Sequence, residues 1–329
     1  MRLPCPDIFC LLLACACATT VLAQEGSTSV YDFLRLPTSA HASALGGAGI
    51  ALPDDDASLF LQNPSLLSNV SDRSLAVSYM SYMQGCHAGS AAWAQAAGAR
   101  GTWGVGVHYV GYGSMAETFA DGSVTGTFSA ADMAVAGSYA YTLSEHVAGG
   151  VTGKVLYSHY GAYSSVALAV DLGLNYYDPE RELSVSLVAA NIGGQVKTFA
   201  DSHEALPFDL RAGFTKRLEG APFRFSVTMT DLTRWRAADF YSPEGKMHAG
   251  RLLTNHIVLG ADVLFSDSFH ASVGYNLRRA YELQAAGAAH GAGLTIGAGL
   301  SLKRFQVSVA YAKYHVSASS LMLTVQVSL

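Results

Sequence analysis

The sequence is poor in charged residues and has no long internal hydrophobic run. Charged residues make up 14% of its 329 positions, whereas soluble domains usually carry about a quarter. Hydrophobic residues make up 50%, but no internal stretch approaches the roughly 18 uncharged apolar residues of a transmembrane helix. The net charge of −5 is mild and argues against nucleic acid as a partner. The apolar content is therefore spread over alternating positions, as it is in β-barrels.

Cysteine is nearly absent from the predicted mature chain. Arg2 precedes an apolar stretch over residues 8–18, and residues 21–23 have the small-residue form of a signal-peptidase site. This pattern predicts a signal peptide of residues 1–23, and four of the five cysteines lie within it. Cys86 alone remains, so no intramolecular disulfide framework is expected.

The N-terminus also offers a second processing route. Leu12-Leu13-Ala14-Cys15 has the form of a lipoprotein box, which would lead to acylation of Cys15. The hydrophobic stretch before that box would be very short, and a better cleavage site follows it. We therefore favour cleavage after Ala23 and a mature chain that begins at Gln24.

Recognisable reaction centres are missing as well. Metalloprotease, paired-cysteine, phosphate-loop and serine-hydrolase motifs do not occur. Ser158, His159 and Asp171 could be drawn as a triad, but neighbours in a strand point to opposite faces, so only one of the first two can share the face of Asp171. The aspartates of residues 54–56 fit helix capping and a solvated charge run better than a metal site. The sequence thus predicts no enzymatic activity and no catalytic, cofactor or metal site.

What the sequence does contain is a two-residue repeat, clearest between Ser165 and Tyr176. One face of this repeat is apolar and consists of Val166, Leu168, Val170, Leu172, Leu174 and Tyr176. The other face is small and polar and includes the carboxylate of Asp171. A period of two indicates a β-strand. Because the pattern recurs with little else to cover the apolar faces, we expect a closed barrel in a lipid bilayer, with a polar lumen.

From Arg73 to Leu329 the pattern predicts an antiparallel transmembrane β-barrel of about fourteen strands. The long connections all follow odd-numbered predicted strands; they lie near residues 113–130, 193–206, 235–252 and 279–290. Every second connection of an antiparallel barrel lies on the same side, and outer-membrane barrels have short periplasmic turns with longer outer loops. We therefore expect the long loops outside the cell and the C-terminus on the periplasmic side.

Charged residues in the predicted strands fall on the polar face. They are Lys154, Asp171, Asp209, Arg211, Arg224, Asp262 and Arg278. On the lipid face near the midplane, an Arg or Lys would cost about 2–4 kcal/mol. We therefore expect all of these side chains to point into the lumen, and their mixed signs predict an ion-paired interior rather than a strongly selective ion channel.

Residues 24–72 do not follow the strand pattern. An aspartate before Ala57 can cap a short helix over residues 57–62, and Pro64 then helps to end it. The segment has a suitable size for a plug under or inside the barrel, on the periplasmic side. The predicted organisation is therefore a signal peptide (1–23), an N-terminal plug (24–72) and a barrel (73–329).

Several short motifs lie between Tyr31 and Leu67. They are Tyr31-Asp32-Phe33-Leu34-Arg35-Leu36-Pro37, Ala44-Leu45-Gly46-Gly47, Asp54-Asp55-Asp56 and Asn63-Pro64-Ser65-Leu66-Leu67. This series resembles the N-terminal signature of the PorQ family, an outer-membrane component of the type IX secretion system. The Gly-Gly and Asn-Pro elements are shared with the related PorV and FadL-like fatty-acid transporters. Further segments, including Leu206-Pro207-Phe208-Asp209-Leu210, extend the resemblance over most of the mature chain.

The resemblance implies a non-enzymatic FadL-like barrel that anchors a PorZ-like surface protein, with PorU and PorV, in the attachment complex. The loops Gly113 to Ala130 and Arg236 to Arg251 would then bind the partner. Trp103, Trp235 and the tyrosines are candidate contact residues, although positions in the aromatic girdle at the membrane interface explain each of them better. Outer-membrane lipid is an expected contact, and the sequence leaves open whether lipopolysaccharide also binds.

A second hypothesis is a FadL-like channel for fatty acids or other hydrophobic small molecules. The N-terminal segment would then gate passage, and a lateral opening in the wall would admit the ligand. A strand break beside an apolar lumen pocket would favour this channel over the scaffold.

Overall fold

Fourteen β-strands form the wall of one closed barrel in the computed structural model. The structure describes residues 30–83, 85–119, 123–199, 203–241, 247–285, 291–315 and 318–329, so the predicted signal peptide and Cys15 lie outside the described residues. The strands are β1 (Ser74–Met83), β2 (Cys86–Ala97), β3 (Gly101–Thr118), β4 (Val124–Thr142), β5 (Val147–Tyr160), β6 (Tyr163–Asp178), β7 (Leu183–Lys197), β8 (Asp209–Arg217), β9 (Phe223–Met229), β10 (Ile257–Leu264), β11 (Phe269–Asn276), β12 (Leu294–Leu302), β13 (Phe305–Ala312) and β14 (Ser320–Ser328).

Each strand pairs in antiparallel fashion with its neighbours in sequence, and β14 closes the ring against β1. The closing ladder runs from Ser74 opposite Ser328 to Ser81 opposite Leu321. Closure matters because a sheet edge exposed to lipid would leave backbone polar groups without partners. The predicted all-β antiparallel barrel of about fourteen strands is therefore confirmed.

The two-residue repeat of the sequence separates the two surfaces of the wall. On β6, Leu168 and Leu172 are exposed outside, whereas Ala167 and Asp171 are fully buried inside. Large apolar side chains form the same outer surface on the other strands, for example Val227, Ile296 and Leu323. An apolar outer band around a polar interior is the arrangement of a membrane-spanning barrel. Among the described residues, no helix is both long and apolar enough to cross a membrane.

Residues 30–72, the described part of the predicted plug segment, lie inside the barrel. They form four short helices, which are in chain order a 3-10 helix (Asp32–Arg35), the α-helix α1 (Ala40–Ala44) and two further 3-10 helices (Ala57–Leu61 and Pro64–Asn69). Ser39, Asp56 and Asn63 start the last three of these helices in chain order, because each side chain accepts a hydrogen bond from a backbone N–H of the first turn. Capping by an aspartate before Ala57 is thus confirmed.

Glycines on the inner wall allow this segment to approach the strands closely. A Cβ atom on Gly173 would lie 2.2 Å from Asn63 Oδ1, and one on Gly274 would lie 2.2 Å from the backbone nitrogen of Gly46. Both distances are shorter than any real contact, so a side chain at either position would displace the segment. Glycine at these two wall positions therefore lets the plug segment pack against the strands.

The plug segment is bonded to the seam where the first and last strands meet. The backbone N–H of Ala40 donates to Thr324 Oγ1 over 2.8 Å, and that of Ala57 donates to Gln326 Oε1 over 2.7 Å. Across the seam on β1, Ser78 Oγ donates to the carbonyl of Thr38 over 2.9 Å. Residues from both ends of the chain thus meet in one place.

The connections between strands differ at the two ends of the barrel. At one end, the short-turn end, brief turns such as residues 98–100 and 179–182 join the strands. The first residue of β1 and the last residue of β14 also lie at this end. The opposite end, the long-loop end, carries the connections that contain α2 (Ala249–Thr254) and α3 (Leu277–Ala285). Arg278 was expected on the inward face of a strand; this is wrong, because β11 ends at Asn276 and Arg278 lies on α3.

The expected loop over residues 113–130 is also different in the structure. β3 and β4 continue through most of it as a hairpin, with Ser114 opposite Ser129 and Ala116 opposite Thr127; β3 ends at Thr118 and β4 begins at Val124. The side chains of this outer part are mostly exposed on both faces. The hairpin therefore lacks the one-sided apolar pattern that identifies a membrane strand in a sequence.

Candidate functional site

The wall is interrupted between β7 and β8 at the long-loop end. Their ladder runs from Leu183 opposite Lys216 to Ala190 opposite Asp209 and stops there, although β7 continues to Lys197. Beyond Ala190, residues 192–197 of β7 pair with β6, and in the described part of the chain they have no strand partner on their other side. We call this interruption the strand break.

A β-bulge at Asn191 begins the strand break. Ala190 and Asn191 together stand opposite the single residue Asp171 of β6, which is the two-against-one pairing of a bulge. Asn191 has a φ of 60°, a left-handed conformation that asparagine tolerates better than most residues. A bulge bends its strand, and the ladder between β7 and β8 ends at the residue before it.

A buried ion pair holds the bulge in place. Lys154 Nζ lies 2.5 Å from Asp171 Oδ2 and donates to Asn191 Oδ1 over 3.1 Å. Asp171 Oδ1 accepts the backbone N–H of Asn191 over 2.7 Å, and Asn191 Nδ2 donates to the carbonyl of Pro207 over 3.1 Å. Every polar group of the asparagine side chain is thus occupied, which compensates for its unusual backbone conformation.

Side-chain contacts, rather than a strand ladder, cross the gap. Gln195 Oε1 on β7 accepts the backbone N–H of Glu204 over 2.8 Å. Nearby, Leu206 turns into the barrel and is buried. A wall joined here by the side-chain hydrogen bonds of Asn191 and Gln195 opens at a lower free-energy cost than a continuous ladder.

An apolar cluster lies inside the barrel next to the strand break. Tyr31 and Phe33 of the plug segment pack there with Leu206 and with Ala167 and Ala169 of β6. These two alanines stand directly opposite Gln195 and Gly193, in the part of β7 that has lost its second neighbour. The plug segment therefore occupies the apolar space behind the gap.

Tyr31 is fastened to the same region by a hydrogen bond. Its hydroxyl lies 2.5 Å from Ser165 Oγ on β6. Because Ser165 Oγ donates its own proton to the carbonyl of Lys197 over 2.7 Å, Tyr31 is the donor and Ser165 the acceptor. One tyrosine thus connects the N-terminal segment to β6 and, through Ser165, to the end of β7.

A second group of contacts holds the plug segment at the short-turn end. His41 lies between two carboxylates, with Nδ1 2.7 Å from Asp54 and Nε2 2.9 Å from Asp262 of β10. Arg224 of β9 contacts the same two carboxylates, at 2.6 Å from Asp54 and 2.8 Å from Asp262. We call these four residues the latch; its two positive and two negative charges balance.

The latch keeps His41 protonated. Burial alone would lower the pKa of His41, but the carboxylates of Asp262 and Asp54 outweigh burial and raise the pKa to about 10. A raised pKa contributes stability that is full below the unfolded value of about 6.5 and is lost as the pH rises through about 10. For Asp54, burial would raise the pKa, but Arg224 and His41 lower it well below its usual range. The latch is therefore fully charged at neutral pH.

The aspartates of residues 54–56 differ in part from the sequence-based expectation. Asp56 caps a helix as predicted, but the idea of a solvated charge run is wrong for Asp54 and Asp56. Asp54 is ion-paired with Arg224, which lies 170 positions away in the sequence. In the described part of the chain, no group of three or more His, Cys, Asp or Glu residues is placed to hold a metal ion.

Known structures with the same architecture were found by comparison. A FadL homologue of Pseudomonas aeruginosa superposes with a TM-score of 0.55 at 9% identity, covering 88% of this chain and 98% of that one. The fold is that of the FadL-like outer-membrane barrels. The CymD monoaromatic hydrocarbon channel gives a TM-score of 0.58 at 13% identity (90% and 98% covered). The toluene transporter TodX of Pseudomonas putida gives 0.54 at 12% (88% and 97% covered).

The similarity of this FadL-like barrel to known proteins is structural. No protein-family model matches its sequence, and no curated protein matches it either. The similar structures are named as a FadL homologue, a channel and a transporter, not as enzymes. Identities of 9–13% establish a shared fold and no shared substrate.

Most of the charges predicted to face the lumen of the FadL-like barrel do so. Lys154, Asp171, Asp209, Arg211, Arg224 and Asp262 are buried or nearly so inside the wall, and they form ion pairs. The rejected triad is not assembled, because Asp171 contacts Lys154 while Ser158 Oγ donates to Asp132. The ion-paired interior is thus confirmed, whereas the roles of Asn191, Tyr31 and His41 were not predicted.

Proposed function

We propose that this protein is an outer-membrane channel for small hydrophobic molecules, which leave the lumen sideways through the strand break. The observation that carries this proposal is the position of the break beside a buried apolar cluster. A hydrophobic molecule could pass from that cluster through the break into the lipid once the contact between Gln195 and Glu204 opens. The similarity of the fold to a monoaromatic hydrocarbon channel and to a toluene transporter supports the same conclusion.

In this proposal the plug segment is the gate. Tyr31 and Phe33 fill the apolar space behind the break, so they must move before another apolar molecule can occupy it. The latch holds the same segment at the opposite end, where Asp54 and His41 meet Arg224. A gate that is fixed at the short-turn end, and held at the long-loop end by the side chains of Tyr31 and Arg35, can move locally without leaving the barrel.

Covalent closure of the strand break tests this function. With Cys86 replaced by alanine, Gln195→Cys and Glu204→Cys would place one thiol on each side of the gap. Bridging them with a short bifunctional thiol reagent should reduce the uptake of toluene and of oleate to the level of cells without the barrel. Uptake would be measured in a Gram-negative host that lacks its own channel of this kind, and reduction of the bridge should restore it.

The matched control bridges the same two strands where their ladder is intact. Ser184 of β7 and Thr215 of β8 are direct partners, so Ser184→Cys and Thr215→Cys join residues that already lie side by side. This bridge should leave uptake unchanged. Equal uptake by the open and bridged forms of the gap variant would exclude lateral passage through the break.

We propose, as a second candidate, a scaffold of the type IX attachment complex. The observation that favours it is the β3–β4 hairpin, whose outer part exposes Met115, Phe119 and Val124 beyond the barrel wall. Exposed apolar side chains on a projecting element are typical of a protein-binding surface. In this proposal a PorZ-like surface protein, together with PorU and PorV, would contact the hairpin.

Removal of the hairpin tip tests the scaffold. Replacing residues 115–128 with a two-residue Asn-Gly turn should leave the barrel folded, because Gly111 and Ala131 remain paired below the tip. Under this proposal, purification of the intact barrel from native membranes recovers a PorZ-like protein, and the shortened variant recovers none. Recovery that is equal for both forms, or absent for both, contradicts the scaffold and leaves the channel test unaffected.

A further inference from the structure

A polar cavity of about 240 Å³ lies at the long-loop end between the plug segment and α3. Four arginines line it: Arg35, Arg211, Arg278 and Arg279. Three carboxylates face them, from Asp209, Asp231 and Glu282. We call this cavity the arginine pocket; its charge-bearing side chains carry one more positive than negative charge.

Asp231 serves several of these arginines at once. Arg35 Nη1 and Arg278 Nη1 each lie 2.9 Å from its Oδ2, and Arg234 Nε lies 3.7 Å from its Oδ1. A single carboxylate shared among three guanidinium groups neutralises only one of them. Arg278 Nε also lies 2.8 Å from Glu282 Oε1, and Arg35 Nε lies 3.5 Å from Asp32 Oδ1, so the excess around the arginine pocket stays at one positive charge.

Arg279 has no carboxylate partner among the described residues. Its guanidinium lies 4.1 Å from the centre of the Tyr314 ring, and the backbone N–H of Arg279 donates to Asn276 Oδ1. In the described structure, Arg279 Nη1 and Arg35 Nη2 are buried without a hydrogen-bond partner. A buried donor without an acceptor costs about 1–3 kcal/mol, and more when it is charged. An acceptor beside these N–H groups would therefore stabilise the folded protein.

The position of these arginines on α3 adds to the positive potential. The helix begins at Leu277, so Arg278 and Arg279 lie in its first turn, which contains no acidic residue. The N-terminus of a helix carries partial positive charge and favours anions. Two arginines there oppose the usual preference, and a bound anion would reverse the unfavourable interaction.

A glycine leaves room for the unpaired guanidinium. A Cβ on Gly47 would lie 3.1 Å from Arg279 Nη2, and the φ of Gly47, +94°, is one that other residues rarely adopt. The plug segment therefore passes the arginine pocket with its smallest side chain toward Arg279. A larger side chain at Gly47 would crowd the Arg279 guanidinium, which lies beside the Tyr314 ring.

We propose that the arginine pocket binds an oxyanion, the carboxylate or phosphate group of a small molecule, with Arg279 and Arg35 as its donors. Carboxylate and phosphate oxygens match the planar fork of a guanidinium and accept two parallel hydrogen bonds from it. The anion would occupy the unused N–H groups and balance the excess charge. This site goes beyond the proposed channel, because it can bind an anion whether or not molecules cross the wall.

Calorimetric titration of the folded barrel in a non-ionic detergent tests the site. Inorganic phosphate and acetate probe binding of a free anion, and dodecyl phosphate probes binding of the anionic head of an amphiphile. Arg279→Gln should weaken binding of whichever probes bind the wild type by about tenfold, the effect of losing one charge-assisted hydrogen bond. Because Arg279 leaves no carboxylate unpaired when it is replaced, the variant should fold.

Two further variants keep the test decisive. Arg181→Gln removes an exposed arginine at the short-turn end and should leave all affinities unchanged. Arg279→Lys keeps the charge but loses the fork, so binding should be weakened less than in Arg279→Gln; it replaces that variant if the glutamine protein does not fold. Phosphate binding alone identifies a free anion as the ligand, and dodecyl phosphate binding alone identifies an amphiphile. No binding to the wild type, or equal binding to wild type and both Arg279 variants, overturns the proposal.

Discussion

Replacing Arg224 by glutamine should destabilise the barrel and release its plug segment. The change leaves Asp54 and Asp262 with His41 as the remaining cation of the latch, so one buried carboxylate loses its partner. Removal of one member of a buried ion pair costs about 3–5 kcal/mol. We expect a lower unfolding temperature, read from the heat-dependent shift of the barrel on denaturing gels, and a larger conductance in planar bilayers.

Two matched variants separate the latch from the general effect of losing an arginine. Arg304→Gln removes an exposed arginine near the short-turn end and should change neither measurement. Adding Asp262→Asn to Arg224→Gln removes the surplus negative charge and should recover part of the lost stability. If the single variant melts and conducts as the wild type does, the plug segment is held by packing alone and the latch has no part in gating.

Replacing Lys154 by methionine should loosen the wall at the strand break. Lys154 is the cation beside Asp171 and also donates to the side chain of Asn191. Its loss leaves a fully buried carboxylate unpaired, again at a cost of about 3–5 kcal/mol. We expect faster hydrogen exchange of the amides of residues 191–197 and increased uptake of hydrophobic molecules, because the bulge loses its support.

The double variant Lys154→Met and Asp171→Leu distinguishes a lost charge balance from a lost contact. Removing both charges together should cost much less stability than removing Lys154 alone, since apolar residues of similar size can replace a buried ion pair. Asn191 would still be left without two of its hydrogen bonds, so rapid exchange of residues 191–197 should persist in the double variant. Exchange that returns to the wild-type rate would show that Asn191 needs neither partner.

The wall of the barrel could be predicted because lipid imposes a two-residue pattern on every spanning strand. Leu168, Leu172 and their counterparts must be apolar, whereas Asp171 must point inward, and this contrast is visible in the sequence. The same reasoning explains why the sequence does not predict the outer β3–β4 hairpin: its side chains are mostly exposed on both faces, so they carry no two-residue pattern. The length of this hairpin depends on hydrogen bonding between β3 and β4 and not on the burial of its side chains.

The contacts of the plug segment could not be predicted, since they join residues that are far apart in the chain. His41 and Asp262 are separated by 221 positions, and Tyr31 and Ser165 by 134. Local signals existed for part of the site. Asn191 followed by Gly193 and Gly194 is a sequence typical of a bulge. Whether β8 remains beside β7, however, depends on the path of residues 203–208, and no local sequence pattern predicts that path.

The meeting of plug and seam has a consequence for how the protein is made. Ala40 and Ala57 leave the ribosome early, yet the acceptors of their backbone N–H groups, Thr324 Oγ1 and Gln326 Oε1, are synthesised last. In a nascent chain, the backbone N–H groups of Ala40 and Ala57 thus lack these acceptors until the last strand, β14, has been synthesised. Such long-range contacts fold slowly, so closing the ring and filling it should occur as one step of biogenesis, and a chain truncated before β14 should accomplish neither.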